Sequence, residues 1–230
     1  MGVIPPSALP SFFAPWIKVC GVRTFADLEV CARAGATHVG LNAWPHSPRF
    51  APPRDLSVLA TAARALGLAP VLLLLPGARL SPSQVAGLAA AFVQVLAPPP
   101  PNWRRRWSEA GTGVLEARPL AFENASALPF GDALLLDGRE PGRRGGTGKA
   151  VSRALAAKAP RPFVLAGGLG PENVDEAVAA LRPAGVDAAS SLECSPGVKD
   201  PGRVAAFCAQ ALAAFRRVGS PCEPAREVRK

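Results

Sequence analysis

Three groups of residues in this 230-residue chain could move protons or hold an anion. Cys20 closes the run Lys18-Val19-Cys20-Gly21, and Asp137 closes Ala133-Leu134-Leu135-Leu136-Asp137. A free cysteine in an apolar run reads as a small buried hydrophobe. A place at a strand end, ahead of a glycine that admits close approach, strengthens its reading as a reactive thiol. A carboxylate ending an apolar strand either caps the next turn or protrudes into a pocket, where it can act as an acid or base. The third group is the set of loops Gly145-Gly146-Thr147-Gly148-Lys149, Ala166-Gly167-Gly168-Leu169 and Ser190-Ser191. Glycine-rich backbone at a helix N-terminus offers its N–H groups to an anion, although tight turns alone would use the same residues. Neither glycine loop is a P-loop, because Arg143 stands where the first Walker glycine should be and Ala150 replaces the required Ser or Thr. Neither completes GxGxxG.

The elements that must position these residues are short apolar runs alternating with longer amphipathic ones. The runs Trp16–Cys20, His38–Asn42, Val71–Leu75, Phe92–Leu96, Val114–Arg118, Ala133–Asp137, Phe163–Ala166 and Val186–Ser190 read as parallel strands covered on both faces. Helices are expected over 24–34, 54–66, 81–90, 149–158, 171–181 and 201–216. Asp200-Pro201 and Gly170-Pro171 read as N-cap followed by Pro at the first helical position. Gly35, Gly67 and Gly185 suit left-handed caps between helix and strand. The segments after strands 4 and 5 read as too short or too Pro-rich for full helices. Eight strand candidates suggest a (β/α)8 TIM barrel over 15–217, with a loosely attached lead-in at 1–14 and a polar tail at 218–230. A doubly wound open sheet would show a similar alternation. In a barrel, Cys20, Asp137 and the three loops all fall at the C-terminal ends of strands, where such folds place their sites.

Composition narrows the class. The chain is 49% hydrophobic and 19% charged with a mean hydropathy of +0.18, which argues against wholesale disorder. No apolar run reaches membrane-spanning length, and the N-terminus lacks the basic flank and apolar stretch of a signal peptide, so a cytoplasmic location is expected. Five cysteines without a CxxC pair suggest neither a disulfide framework nor a zinc site, and two histidines make a His-built metal site improbable. The net charge of +9 is spread over many arginines. Its one cluster, Trp103-Arg104-Arg105-Arg106-Trp107, could stack on bases and contact phosphates, or could be a solvated loop with two rings packed on the body. No RNA-binding motif accompanies it.

Six ordered blocks carry a resemblance that spans residues 16–215. They are Lys18-Val19-Cys20-Gly21, Ser47-Pro48-Arg49, Leu134-Leu135-Leu136-Asp137, Gly145-Gly146-Thr147-Gly148-Lys149, Leu165-Ala166-Gly167-Gly168-Leu169 with Pro171-Glu172-Asn173-Val174, and Ser195-Pro196-Gly197-Val198-Lys199-Asp200. Together they resemble the phosphoribosylanthranilate isomerase family of tryptophan biosynthesis, which has a (β/α)8 fold. The resemblance implies an Amadori rearrangement of N-(5-phosphoribosyl)anthranilate, with Asp137 as general acid on the ribose ring oxygen and Cys20 as general base at C2. It further implies that Arg49 pairs with the anthranilate carboxylate and that Gly145, Gly146, Thr147, Gly167, Gly168, Ser190 and Ser191 hold the phosphate. It implies no cofactor, no metal, and a monomer or homodimer acting on a small phosphosugar. A divergent barrel taking another phosphosugar, or an idle one, would retain the same blocks; a basic polyanion-binding protein is a further alternative.

Those roles set physical demands. An aspartic acid with an ordinary pKa of ~3.9 must shift by roughly three units, about 4 kcal/mol, to donate a proton near neutrality. A cysteine is only a few per cent thiolate at pH 7, and a positive neighbour raises that share. Lys18 is one candidate neighbour. The chain also departs from the family's pattern: Val95-Leu96-Ala97 followed by Pro98–Pro101 closes strand 4, Asn42-Ala43-Trp44 follows strand 2, and Ser190-Ser191-Leu192-Glu193 lacks the usual glycine, so a reshaped phosphate loop is expected.

Overall fold

A computed structural model of the chain describes residues 15–76, 80–119, 128–138 and 159–219. Eight parallel strands close into a barrel in the order β1 to β8. They are β1 (Trp16–Cys20), β2 (His38–Asn42), β3 (Ala69–Leu73), β4 (Phe92–Val95), β5 (Gly113–Pro119), β6 (Ala133–Asp137), β7 (Val164–Ala166) and β8 (Gly185–Ala188). Closure is made by β8 pairing with β1, with Trp16 opposite Gly185 and Lys18 opposite Asp187. The open-sheet alternative is thereby excluded. Each strand expectation holds to within two residues at either end.

The described helices are α1 (Phe25–Ala34), α2 (Pro53–Ala65), α3 (Pro82–Ala86), α4 (Pro101–Glu109), α5 (Val174–Leu181) and α6 (Pro201–Val218). Local chemistry fixes their ends. Thr24 and Asp27 form a reciprocal capping box at α1, which stops at Gly35 in the left-handed region (φ 83°). Asp200 accepts from the Arg203 N–H to open α6, with Pro201 at its first position. Among the described residues no helix is long and apolar enough to cross a membrane.

Four expectations need correction. The segment after β4 is a helix, α4, because Pro101 is tolerated in a first turn where its missing N–H has no partner to lose. Trp103–Trp107 is therefore helical and not a loop: Trp107 is fully buried, Trp103 packs on the core, and Arg104 donates to the Phe130 carbonyl and to Asp132. A buried ring offers no face to a base, so the nucleic-acid reading of this cluster loses its stacking platform. The third is Gly170-Pro171, which does not open α5; Asn173 occupies the N-cap position, and its side chain accepts from the Gly170 N–H instead. Gly185 is not a helix cap either, since α5 ends on Arg182 and Gly185 begins β8. The expected helix at 149–158, the lead-in at 1–14 and nearly all of the tail lie outside the described residues.

Two apolar layers follow from the strand pleat. Ile17, Val19, Val39, Leu72, Val93, Leu134, Leu165 and Val186 face outward into the main core with the helices. Trp16, Val71, Phe92, Leu115, Leu135 and Val164 face inward and fill the barrel. At the N-terminal end Trp16 stacks on His38 with centroids 4.0 Å apart and meets Phe92 at 4.9 Å. Room for these rings comes from neighbouring glycines: a Cβ on Gly185 would stand 2.3 Å from Trp16 Cβ, and one on Gly113 would stand 2.7 Å from the Phe92 ring.

Burial of His38 in that stack depresses its pKa to about 3, the desolvation of a charged imidazole being the main cause and the charge of Lys18 the next. The unfolded chain takes up the proton near pH 6.5 while the folded one does not, so stability is lost as pH falls from about 6.5 towards about 3. The slope from this group alone approaches about 1.4 kcal/mol per pH unit. Thermal melts of the parent and His38→Phe at pH 7, 5.5 and 4.5 should show a smaller acid-side loss in the variant; parallel losses would contradict the assignment.

Candidate active site

The pleat that sends Trp16 inward also sends Lys18 and Cys20 inward, and the pleat of β6 does the same for Leu135 and Asp137. Cys20 and Asp137 therefore end their strands facing the same C-terminal mouth. Cys20 is nearly buried at 7% exposure, and Gly40 beside it on β2 makes space for the sulfur, since a Cβ there would lie 2.7 Å from Sγ. Asp137 is partly exposed at the rim, paired in register with Ala166 of β7.

Beyond Cys20 the chain turns at Gly21 in the left-handed region (φ 80°), a conformation that a side chain would strain. The absent side chain has a second use here. The aliphatic stem of Arg49 lies over Gly21, and a Cβ would fall 2.4 Å from Arg49 Cδ. Arg49 thus lies against the turn that follows Cys20. Its guanidinium grips Glu193 in a fork, Nε to Oε1 and Nη2 to Oε2, each at 2.7 Å. Lys199 Nζ joins the same carboxylate at 2.9 Å and reaches the Ala189 carbonyl at 3.0 Å. Burial works against the Glu193 charge, but Arg49 and Lys199 outweigh it and hold the carboxyl below the usual range.

Of the anion loops, the two described ones meet. Gly167 (φ 97°) and Gly168 (φ 70°) follow β7, and a 3₁₀ turn at Ser190–Leu192 follows β8. Ser191 Oγ donates to the Leu169 carbonyl, and Gly170 packs against the Ser191 side chain. Asn173 ties its own loop by accepting from the Gly170 N–H and donating to the Gly168 carbonyl. Arg203 braces the turn from α6 by donating to the Ser191 carbonyl and to Glu172. The fully buried Leu192 anchors the turn in the core. Gly145, Gly146 and Thr147 lie outside the described residues.

Beneath the mouth sits a polar cluster within the barrel. Lys18 is fully buried, its Nζ 3.0 Å from Asp187 Oδ1 of β8 and donating to Gln94 Oε1 of β4 at 3.1 Å. Burial raises the Cys20 thiol, and Lys18 acts next, in the opposite direction. Lys18 thus favours the thiolate in the direction expected of a positive neighbour, but desolvation is the larger influence. Sequence reasoning missed Glu193, Arg203, Asp187 and Gln94 as members of this region. The legible signal for Gln94 and Asp187 was a lone polar residue on the inward register of an apolar strand. An apolar cavity of ≈ 260 Å³ lined by Leu74, Leu80, Val95, Trp103 and Trp107 lies under α4, and neither Cys20, Asp137 nor Arg49 touches it.

The closed parallel strands put the protein among (β/α)8 barrels, with polar side chains gathered where barrel enzymes bind their ligands. Residues 17–210 match the family model described as N-(5'phosphoribosyl)anthranilate (PRA) isomerase. The chain belongs to that family. It is 33% identical over 210 residues to the N-(5'-phosphoribosyl)anthranilate isomerase of Magnetococcus marinus, covering 87% of this chain and 95% of that one. Identity to the enzyme of Paracoccus denitrificans is 36% over 209 residues, covering 86% and 97%. A crystal structure of phosphoribosyl anthranilate isomerase in complex with reduced 1-(o-carboxyphenylamino)-1-deoxyribulose 5-phosphate superposes with a TM-score of 0.66 at 25% identity, covering 86% of this chain and 99% of that one.

The held fork between Arg49 and Glu193 has a pH signature. Because the Glu193 pKa is depressed on folding, its stabilisation is present above the ordinary carboxylate value of 4.5 and is lost as pH falls through the lower folded value. Glu193→Gln leaves Lys199 buried with one charged partner fewer, a change that costs on the order of 3–5 kcal/mol at neutral pH. The Tm gap between parent and variant should be widest near pH 7 and narrow on acidification below about 4.5; a gap independent of pH would refute the charged pairing.

Proposed function

We propose that the protein catalyses the Amadori rearrangement of N-(5'-phosphoribosyl)anthranilate to 1-(o-carboxyphenylamino)-1-deoxyribulose 5-phosphate, with Asp137 as general acid and Cys20 as general base. The observation that supports this reading most directly is the shared facing of the two side chains: each ends a strand on the inward register at the C-terminal mouth. Asp137 gives a proton to the ribose ring oxygen. The C1–O bond breaks, and the nitrogen lone pair forms the C1=N bond of an iminium ion. The Cys20 thiolate then takes the proton from C2, and the C–H electron pair moves into a C1=C2 bond as the nitrogen regains its lone pair. The enol-amine tautomerises to the ketone, C1 gaining a proton and the C2 hydroxyl losing one.

Arg49, packed on the turn at Gly21, offers the anthranilate carboxylate a cation that is already oriented by Glu193. The Gly167–Gly168 and Ser190–Ser191 loops take the phosphate, together with Gly145, Gly146 and Thr147. The substrate is a small phosphosugar, and the reaction belongs to the cytoplasm.

Each proton-transfer group is worth about 10²–10⁴-fold in rate. Cys20→Ala and Asp137→Asn should each lower kcat by at least that lower bound in an assay with phosphoribosylanthranilate, with circular dichroism and Tm close to the parent. Turnover near the parental level in either variant removes that residue from the mechanism. A parent that shows no turnover yet is stabilised by inorganic phosphate would instead mark a barrel for another phosphosugar.

The direction of the thiol shift sets the pH profile. With its pKa raised by burial above the ordinary value of 9.0, Cys20 is mostly protonated at neutrality, and the base form grows with pH. Stopped-assay kcat/KM should therefore climb between pH 7 and 9, approaching about tenfold per unit in the limit of a single deprotonation. A profile flat over that range would show that the rate does not depend on a thiolate.

A further inference from the structure

We propose that Lys18 is a positioning residue for the reaction, the buried countercharge that sets how much of Cys20 is thiolate. The inference rests on the assignment of Cys20 as base. Lys18 and Cys20 are two residues apart on β1 and share its inward face, with Gly40 opposite leaving room for the sulfur. Lys18 is fully buried and cannot reach water. An ammonium has three N–H donors. Gln94 Oε1 accepts one of them at 3.1 Å, Asp187 Oδ1 stands 3.0 Å away as the ion-pair partner, and Cys20 follows two residues on along the same inward face.

A lysine sealed in a barrel would ordinarily shed its proton. Here desolvation is the largest influence, but Asp187 and Cys20 together outweigh it and keep the group charged. The charged groups that bear on the thiol are Lys18 on the same strand, Asp187 from β8, and Lys199 from the short hairpin strand Val198–Lys199. Lys18 has the largest effect of these three and favours the thiolate; Asp187 opposes it, more weakly. The arrangement thus supplies a cation to stabilise S⁻ while the carboxylate and amide behind it fix that cation's position. In the proton transfer the C2–H bond breaks and an S–H bond forms, and the ammonium keeps its own protons throughout. Lys18 changes the population of the base and never exchanges with substrate.

The test uses the full-length protein and reads the thiol directly. Alkylation of Cys20 by iodoacetamide is followed by peptide mass spectrometry between pH 6 and 11, beside the pH dependence of kcat. Lys18→Met should move both midpoints upward by at least about one unit, lowering kcat at pH 7 by about tenfold or more, with KM changed less than about twofold and the deficit shrinking as pH rises. Because Lys18→Met strands a buried carboxylate, Lys18→Met/Asp187→Asn provides a second form with no unpaired ion, and a smaller upward move is expected there. Unmoved alkylation in a folded variant overturns the proposal. So does an alkylation midpoint that moves while the kcat profile stays, since the thiolate would then be irrelevant to turnover. Cys20→Ala separates the two readings: full activity in that variant defeats the base assignment itself, whatever Lys18 does to the sulfur.

Discussion

Trp16, Lys18 and Cys20 are carried inward by the same pleat of a single five-residue strand, and the interior of the barrel has to accept all three. That constraint shapes the neighbouring strands. Gly185 and Gly113 give way to the aromatic plug at the bottom, and Gly40 gives way to the sulfur at the top. Between them the lysine cannot reach water, so β8 and β4 must supply an anion and an amide at the same height. A polar layer of this kind adds little net stability, because desolvation consumes most of the Coulomb energy. It places charge on the inward face of β1 beneath Cys20.

Above the polar layer, a second set of charges organises the loops. Glu193 comes from the turn after β8, Arg49 from the loop after β2, and Lys199 from the strand that precedes α6. One carboxylate therefore ties the loop after β2 to the segment between β8 and α6, and it does so beside Gly21, where the Arg49 stem occupies the space of a side chain. The β7 and β8 loops are joined in a similar way by Ser191 and Arg203. Hydrogen bonds between loops, more than the loops' own turn types, hold the rim of the barrel in shape. The turn after β8 is anchored in the core by the buried Leu192.

The chain's basicity finds a structural outlet that composition alone did not suggest. Arg104 caps the Phe130 carbonyl and pairs with Asp132, and Arg161 reaches the carbonyls of Leu181 and Arg182 near the end of α5. Cations placed at helix C-termini and on loop carbonyls satisfy groups that would otherwise need water. The Trp103–Trp107 segment belongs to the same economy of packing. One of its rings is sealed in the core and its neighbour meets it edge-on at 5.9 Å.

The eight strands were legible because each is a short apolar run between turn residues, a local pattern set by burial on both faces. Cys20 and Asp137 were legible as candidates for the same reason: a polar or reactive group ending such a run is conspicuous. Pro-rich Pro98–Pro101 misled because proline breaks a helix interior but is neutral in a first turn, a distinction that depends on where the helix begins. Closure of the sheet was not in the pattern, since an open sheet alternates in the same way, and only the β8–β1 pairing decides it. Nor were the pairings of Lys18 with Asp187 or of Arg49 with Glu193. These join residues 169 and 144 positions apart, and a chain of amino acids carries no local mark of which side chains a closed cylinder will bring face to face.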